Sequence, residues 1–262
     1  MDISFTKKSF RGIKLFVATP MYEGMCTCNY LNGMIDLFAN CTGYEIPAFF
    51  YGTENQSLIQ RARNESVAAF LETDCTHLLF IDADIGFSGK DALSLLFLAA
   101  SDKEKQYDVL AGPYPKKTFF WNGVKTAVEK RLGSEDPQSL KHFGMEYAFL
   151  MSEQQPFYLK KPMEVLKAGT GFMLIPRRVF TKFKEVYPKQ LYSGRKSREE
   201  CAFFDCIIDP VTKHYWAEDY MFCSYVRKMG GKVWIAPWLE LSHQGSHTFE
   251  GSLSHFAANA NR

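Results

Sequence analysis

Two carboxylates one residue apart, Asp82 and Asp84, stand at the end of an unbroken apolar run, Leu78-Leu79-Phe80-Ile81. A run of that kind reads as a buried strand that delivers both acids to the mouth of a sheet, with little other charge nearby. Carboxylate oxygens are hard ligands, so a pair at this spacing suits Mg²⁺ or Mn²⁺. Such a cation neutralises charge that develops on a departing diphosphate. The alternative is that Asp84 caps the turn that follows and Asp82 is merely exposed.

Two further groups could complete such a site. Trp216-Ala217-Glu218-Asp219-Tyr220 opens a helix. A carboxylate there can take a proton from an attacking hydroxyl, and Trp216 offers an apolar face to a sugar ring. Acids in a first helical turn are also what the helix dipole favours, with no chemistry implied. Late in the chain, His243 ends an apolar stretch and precedes Gln244-Gly245-Ser246-His247. Neutral imidazole is a common ligand for transition metals, and His243 is favoured over His247 because it closes the strand directly. A hydrogen-bonded surface histidine fits the same residues. Of the basic groups, Arg63, Asn64 and Lys116 are expected near phosphates or base, whereas Arg61 is assigned to a solvated helix face.

The elements that must position these groups alternate through the first half. Strands are expected over 14–19, 46–51, 77–81 and 108–111, with helices over 29–39, 57–71 and 90–100. Leu58, Ala62, Val67, Phe70 and Leu71 form the apolar stripe of the second helix. This pattern predicts an α/β fold, a mixed and mostly parallel sheet flanked by helices, with ligands at the carboxyl ends of its strands. The second half is less regular. Residues 113–160 show no clear order, a strand is expected over Phe172 to Ile175, and a helix over Trp216 to Met229. The polar, like-charged stretch 189–200 is predicted to be a mobile loop. No linker divides the chain, so 1–262 is read as one domain, with a nucleotide-binding half near 12–115 and an acceptor half near 116–262.

In order, Val17-Ala18-Thr19-Pro20-Met21-Tyr22, Ala62-Arg63-Asn64, Leu78 to Asp84, Gly169-Thr170-Gly171-Phe172 through Phe180, Trp216-Ala217-Glu218-Asp219 and His243 resemble glycosyltransferases of the GT-A fold. The closest group is the inverting family-2-like one, and the resemblance spans residues 14 to about 245. It implies that Thr19, Pro20 and Tyr22 line a nucleotide pocket near Arg63 and Asn64, with Asp82 and Ala83 on the donor. Asp84 would bind the metal, and His243 would be a further ligand. Gly169, Thr170 and Gly171 would shape the donor-sugar and acceptor floor, Asp219 would act as general base, and Glu218 would touch a substrate hydroxyl. The family's Gly-Gly-Phe-Asp-Glu stretch is missing, and Phe203-Phe204-Asp205-Cys206 stands in a comparable place. Ala-Arg-Asn and Asp-Ala-Asp-Ile are also similar to retaining mannosyltransferases, which leaves stereochemistry open.

The activity so implied moves a sugar from a nucleoside diphosphate sugar, UDP-linked, to a glycan or other hydroxyl acceptor, with Mn²⁺ or Mg²⁺ as cofactor. A sugar nucleotidyltransferase and a non-catalytic glycan-binding module are the rival classes. Met21-Tyr22-Glu23-Gly24-Met25 is a poor phosphate loop for the former. Lys and Arg number 31 against 29 Asp and Glu, a balance that argues against general nucleic-acid or anionic-membrane binding. With no secretory leader at Met1 to Lys8 and no apolar run near the roughly 20 residues a bilayer span needs, a cytoplasmic protein is expected. Seven scattered cysteines make no disulfide framework or zinc-site spacing and are read as reduced thiols.

Overall fold

The computed structural model describes residues 4–152, 155–194 and 199–247. In chain order, β1 (Leu15–Met21), α1 (Cys28–Gly43), β2 (Ala48–Glu54), α2 (Ile59–Leu71), β3 (His77–Ile81), β4 (Ile85–Gly86), α3 (Gly89–Ser101) and β5 (Val109–Ala111) alternate as the pattern predicts. There follow α4 (Trp121–Glu129), β6 (Phe149–Leu150), β7 (Met163–Val165), β8 (Lys167–Ala168), β9 (Phe172–Pro176) and α5 (Arg177–Val186). The last elements are β10 (Leu191–Ser193), β11 (Glu199–Cys201), β12 (Ile207–Ile208), β13 (Tyr215–Trp216), α6 (Glu218–Lys228), β14 (Val233–Ile235) and β15 (Ser242–His243).

Seven strands form the central sheet in the order β2-β1-β3-β9-β5-β14-β7. β2, β1 and β3 are parallel, as are β5 and β14, while β9 runs antiparallel between β3 and β5 and β7 antiparallel beside β14. All strands but β9 and β7 therefore point one way, giving the mixed, mostly parallel sheet of a single α/β domain. Strands from both halves of the sequence interleave in it.

The central strands are apolar without a break because both faces are covered. Alternate residues feed opposite layers. Phe16, Ala18, Leu78, Phe80, Met173 and Ile175 pack with Val67 and Phe70 of α2, Phe180 and Phe183 of α5, and Phe222 and Val226 of α6. Leu15, Val17, Leu79, Ile81, Phe172 and Leu174 pack with Tyr30 and Leu37 of α1 and Leu93 and Leu96 of α3. β9 reverses direction, so its first residue reaches the sheet edge where β3 and β5 end. There the Asp82 N–H donates to the Gly171 carbonyl (3.0 Å) and the Gly112 N–H to the Phe172 carbonyl (2.9 Å).

Three expectations are corrected. The flanks of the stretch read as a mobile loop pair as an antiparallel ladder, β10 with β11, while Arg195 to Arg198 of that stretch lie outside the described residues. The stripe on α2 is not purely apolar. Leu58 is 51% exposed, and the buried face carries Arg63, Asn64 and Ser66 beside Ala62, Val67 and Phe70. Asn64 is not placed to meet a donor, because its amide is engaged by the backbone of one residue, Phe204. Its Nδ2 donates to the Phe204 carbonyl (3.0 Å) and its Oδ1 accepts the Phe204 N–H (2.9 Å), both buried.

Asn64→Ala would strand that N–H and C=O in the core. A loss of about 2–3 kcal/mol of stability is expected, read as a lower urea midpoint at unchanged slope.

Candidate functional site

Where β3 ends, a buried guanidinium joins two carboxylates from distant segments. Arg63, on the inward face of α2, is 3% exposed. Its Nη2 lies 3.1 and 3.2 Å from the two Asp82 oxygens, and its Nε donates to Glu218 Oε1 at 3.3 Å. A cation so buried requires such partners, since burial alone favours its neutral form; here the carboxylates outweigh burial and its pKa is raised. Glu218, at the first turn of α6, is thereby turned inward to Arg63 and not toward an acceptor hydroxyl. Arg63 Nη1 is buried without a hydrogen-bond partner among the described residues, and Asp82 Oδ1, equally buried, has only its ion pair with Arg63 Nη2. Unpartnered atoms of this kind mark a place for a polar ligand or water.

One residue further, Asp84 meets a second set of partners. β15 pairs antiparallel with β4, setting His243 opposite Ile85, and the Gln244 N–H donates to the Asp84 carbonyl (2.9 Å). His243 Nε2 then lies 3.3 Å from Asp84 Oδ1, while its Nδ1 lies 2.9 Å from the Pro115 carbonyl. A carbonyl can only accept, so Nδ1 carries a proton, and Nε2 is the ring nitrogen turned to the carboxylate. Lys117 Nζ contacts the other oxygen, Oδ2. Burial would raise the Asp84 carboxyl, but hydrogen bonds from His243 and Lys117 prevail and bring it down to about 2. The expectation of little charge near the two acids is thus wrong: Arg63 and Lys117 both touch them. Pro20, Tyr22, Thr27, Ile59, Asp82, Ala83, Asp84, Lys117 and His243 line a cleft of about 680 Å³ at this edge, of a size that accepts a nucleotide-sized ligand.

Behind Asp82 sits Asp219. Burial, then the neighbouring Glu218 charge, with Asp82 adding to them, push its carboxyl up to about 6 against the Tyr220 N–H and Arg63, which lower it. Trp216 does not present a bare face: Lys167 Nζ sits 3.0 Å from its ring centre, and the His214 ring meets it edge-on at 5.2 Å. The glycines of Gly169-Thr170-Gly171 face protein. A Cβ on Gly171 would lie 2.7 Å from Tyr114 Cζ, one on Gly169 would overlap Tyr114 Oη, and Thr170 is itself buried.

The structure thus brings together Pro20, Tyr22, Arg63, Asp82, Ala83, Asp84, His243, Glu218 and Asp219. It does not bring Thr19, which is fully buried and hydrogen-bonded to Tyr30 Oη at 2.7 Å. Lys116 points to Glu146, 4.0 Å away, and its neighbour Lys117 is the lysine at the carboxylates. Tyr114 was also missed. Its only sequence signal was its place just after Gly112-Pro113, at a strand end. Among the described residues no three His, Cys, Asp or Glu side chains converge on one point, and no helix is long and apolar enough to cross a membrane. Four of the seven cysteines are buried.

No protein-family model matches the chain, and no curated protein sequence does. Solved structures do match. "A197 from STIV" superposes with a TM-score of 0.52 at 18% identity, over 89% of this chain and 87% of that one. GalNAc-T7 with UDP, GalNAc and Mn²⁺ gives 0.44 at 10% identity, over 88% of this chain and 44% of the other. A glycosyltransferase involved in glycosylation of the major capsid of PBCV-1 gives 0.42 at 9%, over 89% and 96%. The first likeness is one of fold alone, and the two weaker scores decide nothing about function.

Asp219 supplies a test of the electrostatics. Its raised pKa means that between about pH 4 and 6 the folded state holds a proton that the unfolded state has released, so stability falls as pH rises through that window. Asp219→Asn should therefore stabilise the protein above pH 6, by roughly 1–3 kcal/mol, with the gap closing below pH 4. Thermal unfolding of both proteins across pH 4–8 measures this.

Proposed function

We propose that the chain is a metal-dependent glycosyltransferase that moves a sugar from a nucleoside diphosphate sugar, UDP-linked, to a hydroxyl of a glycan with inversion. The observation that carries this reading is a pair of unlike carboxylates on either side of the Asp82–Arg63–Glu218 bridge, one two residues after Asp82 and one next to Glu218. Asp84 is held ionised beside an oriented imidazole, and Asp219 is held near 6. Two carboxyl groups with pKa values driven apart are what a cation site and a proton acceptor in one centre require.

The residues fit a divalent cation. Asp84 and His243 would hold it, with Asp82 held on Arg63 in the same cleft, and the imidazole favours Mn²⁺ over Mg²⁺. When bound it supplies positive charge against the leaving diphosphate. The chain's own groups do the rest. The cleft floor at Pro20, Tyr22 and Ala83 receives the nucleotide, and the unpartnered Arg63 Nη1 offers a hydrogen-bond donor to the donor substrate. Asp219 takes the proton of the acceptor hydroxyl as that oxygen bonds to the anomeric carbon. The anomeric carbon–oxygen bond breaks, and its electron pair leaves with the diphosphate. Direct displacement of this kind inverts the anomeric centre.

Release of nucleoside diphosphate from a panel of nucleotide sugars, with Mn²⁺, tests the assignment. Asp84→Ala and His243→Ala should each lower metal-dependent turnover at least 100-fold, and metal-dependent turnover surviving in Asp84→Ala would end this reading. Asp219→Asn should lower kcat by about 10²–10⁴-fold with little change in donor KM. Wild-type kcat should rise with pH through about 6, as the Asp219 carboxyl loses its proton and becomes competent to accept one.

A further inference from the structure

Lys117 sits on the carboxylate that would hold the cation. Asp84 has two carboxylate oxygens. His243 Nε2 is 3.3 Å from one, and Lys117 Nζ contacts the other. The lysine is half-exposed at 41% and its stem crosses Gly245, where a Cβ would lie 2.8 Å from Lys117 Cδ. Gly245 has no left-handed φ, and the nearest atoms a Cβ there would meet all belong to the flexible stem of Lys117. The stem is a flexible chain with an ammonium at its tip, strongly hydrated and able to swing into the cleft that it already lines.

We propose that Lys117 is a removable stand-in for the metal. In the metal-free protein its ammonium neutralises Asp84. When the divalent cation takes Asp84, the lysine is displaced into the cleft and binds the diphosphate of the donor. The same positive charge is used twice, first to balance the carboxylate, then to hold the substrate. This rests on the metal site assigned above and adds a binding order: cation first, diphosphate second. An ammonium and a divalent cation on one carboxylate repel and compete, so occupancy by one weakens the other. Once moved, the ammonium is a point-charge ligand for phosphate oxygens.

Titration calorimetry of the 262-residue chain with MnCl₂ alone, then with inorganic pyrophosphate at saturating Mn²⁺, tests the idea without any turnover assay. Lys117→Gln removes the competitor, so Mn²⁺ should bind about five- to tenfold tighter, in line with a half-exposed ion pair, while pyrophosphate should bind about tenfold more weakly. Gly245→Ala pushes the stem off Asp84 but keeps the ammonium. Mn²⁺ should tighten likewise, and pyrophosphate affinity should hold or rise. If wild-type Mn²⁺ binding is measurable and neither variant tightens it, Lys117 is not a stand-in, and the metal site survives without it. If neither the wild type nor the variants bind Mn²⁺, the metal site fails and this inference falls with it.

Discussion

A guanidinium buried in the core is the constraint around which the site is organised. Arg63 cannot leave its charge unpaired at that depth, so the fold must bring carboxylates to it. One comes from the residue after β3 and the other from the first turn of α6, 155 residues along the chain from Arg63. Those contacts fix the end of a central strand against the start of a helix from the second half. They also concentrate negative charge: Asp82, Glu218 and Asp219 surround one arginine. Of these, Asp219 has no contact with the guanidinium and carries the raised pKa. Position thus follows from one buried cation, while burial and the Glu218 charge, against Arg63, set the acid–base character of Asp219.

The second centre depends on the chain returning to the same edge. β15 is only two residues long and survives by pairing with the equally short β4. That pairing, together with the Gln244 N–H on the Asp84 carbonyl, brings His243 to Asp84, and the Pro115 carbonyl orients its ring. Three segments, 82–86, 115–117 and 242–245, therefore form one cluster in which backbone groups orient side chains. A ligand pair held this way loses little freedom when a cation arrives, which favours binding over a looser arrangement.

The first half of the fold was legible because its strands are long enough to show a period and its helices alternate with them. β3 matches its expected bounds over all five residues, and the acids at its end were visible as a break in an apolar run. Elsewhere the signal was short of information. Strands of two or three residues, such as β4, β13 and β15, carry no period. Which of Lys116 and Lys117 faces Asp84 depends on a single bend after β5. Arg63 and Asn64 look alike as polar residues on a helix, yet one meets the acids of the site and the other repairs the backbone at Phe204. Only the packing partners from residues 204 and 218 tell them apart.

Gly169-Thr170-Gly171 shows how a motif can be right in place and wrong in role. Neither glycine has a left-handed φ, so no turn demands them. What excludes a side chain is the Tyr114 ring, whose Oη accepts the Gly171 N–H at 3.2 Å. The Gly171 carbonyl in turn accepts the Asp82 N–H. A tyrosine from the end of β5 is thereby linked through one peptide unit to the first acid of the site. Burial drives the Tyr114 hydroxyl far above its ordinary pKa, so it stays protonated, and with its one oxygen bound to Gly171 it serves placement. The glycines admit that ring, and the ring holds Asp82 at the height where Arg63 can reach it.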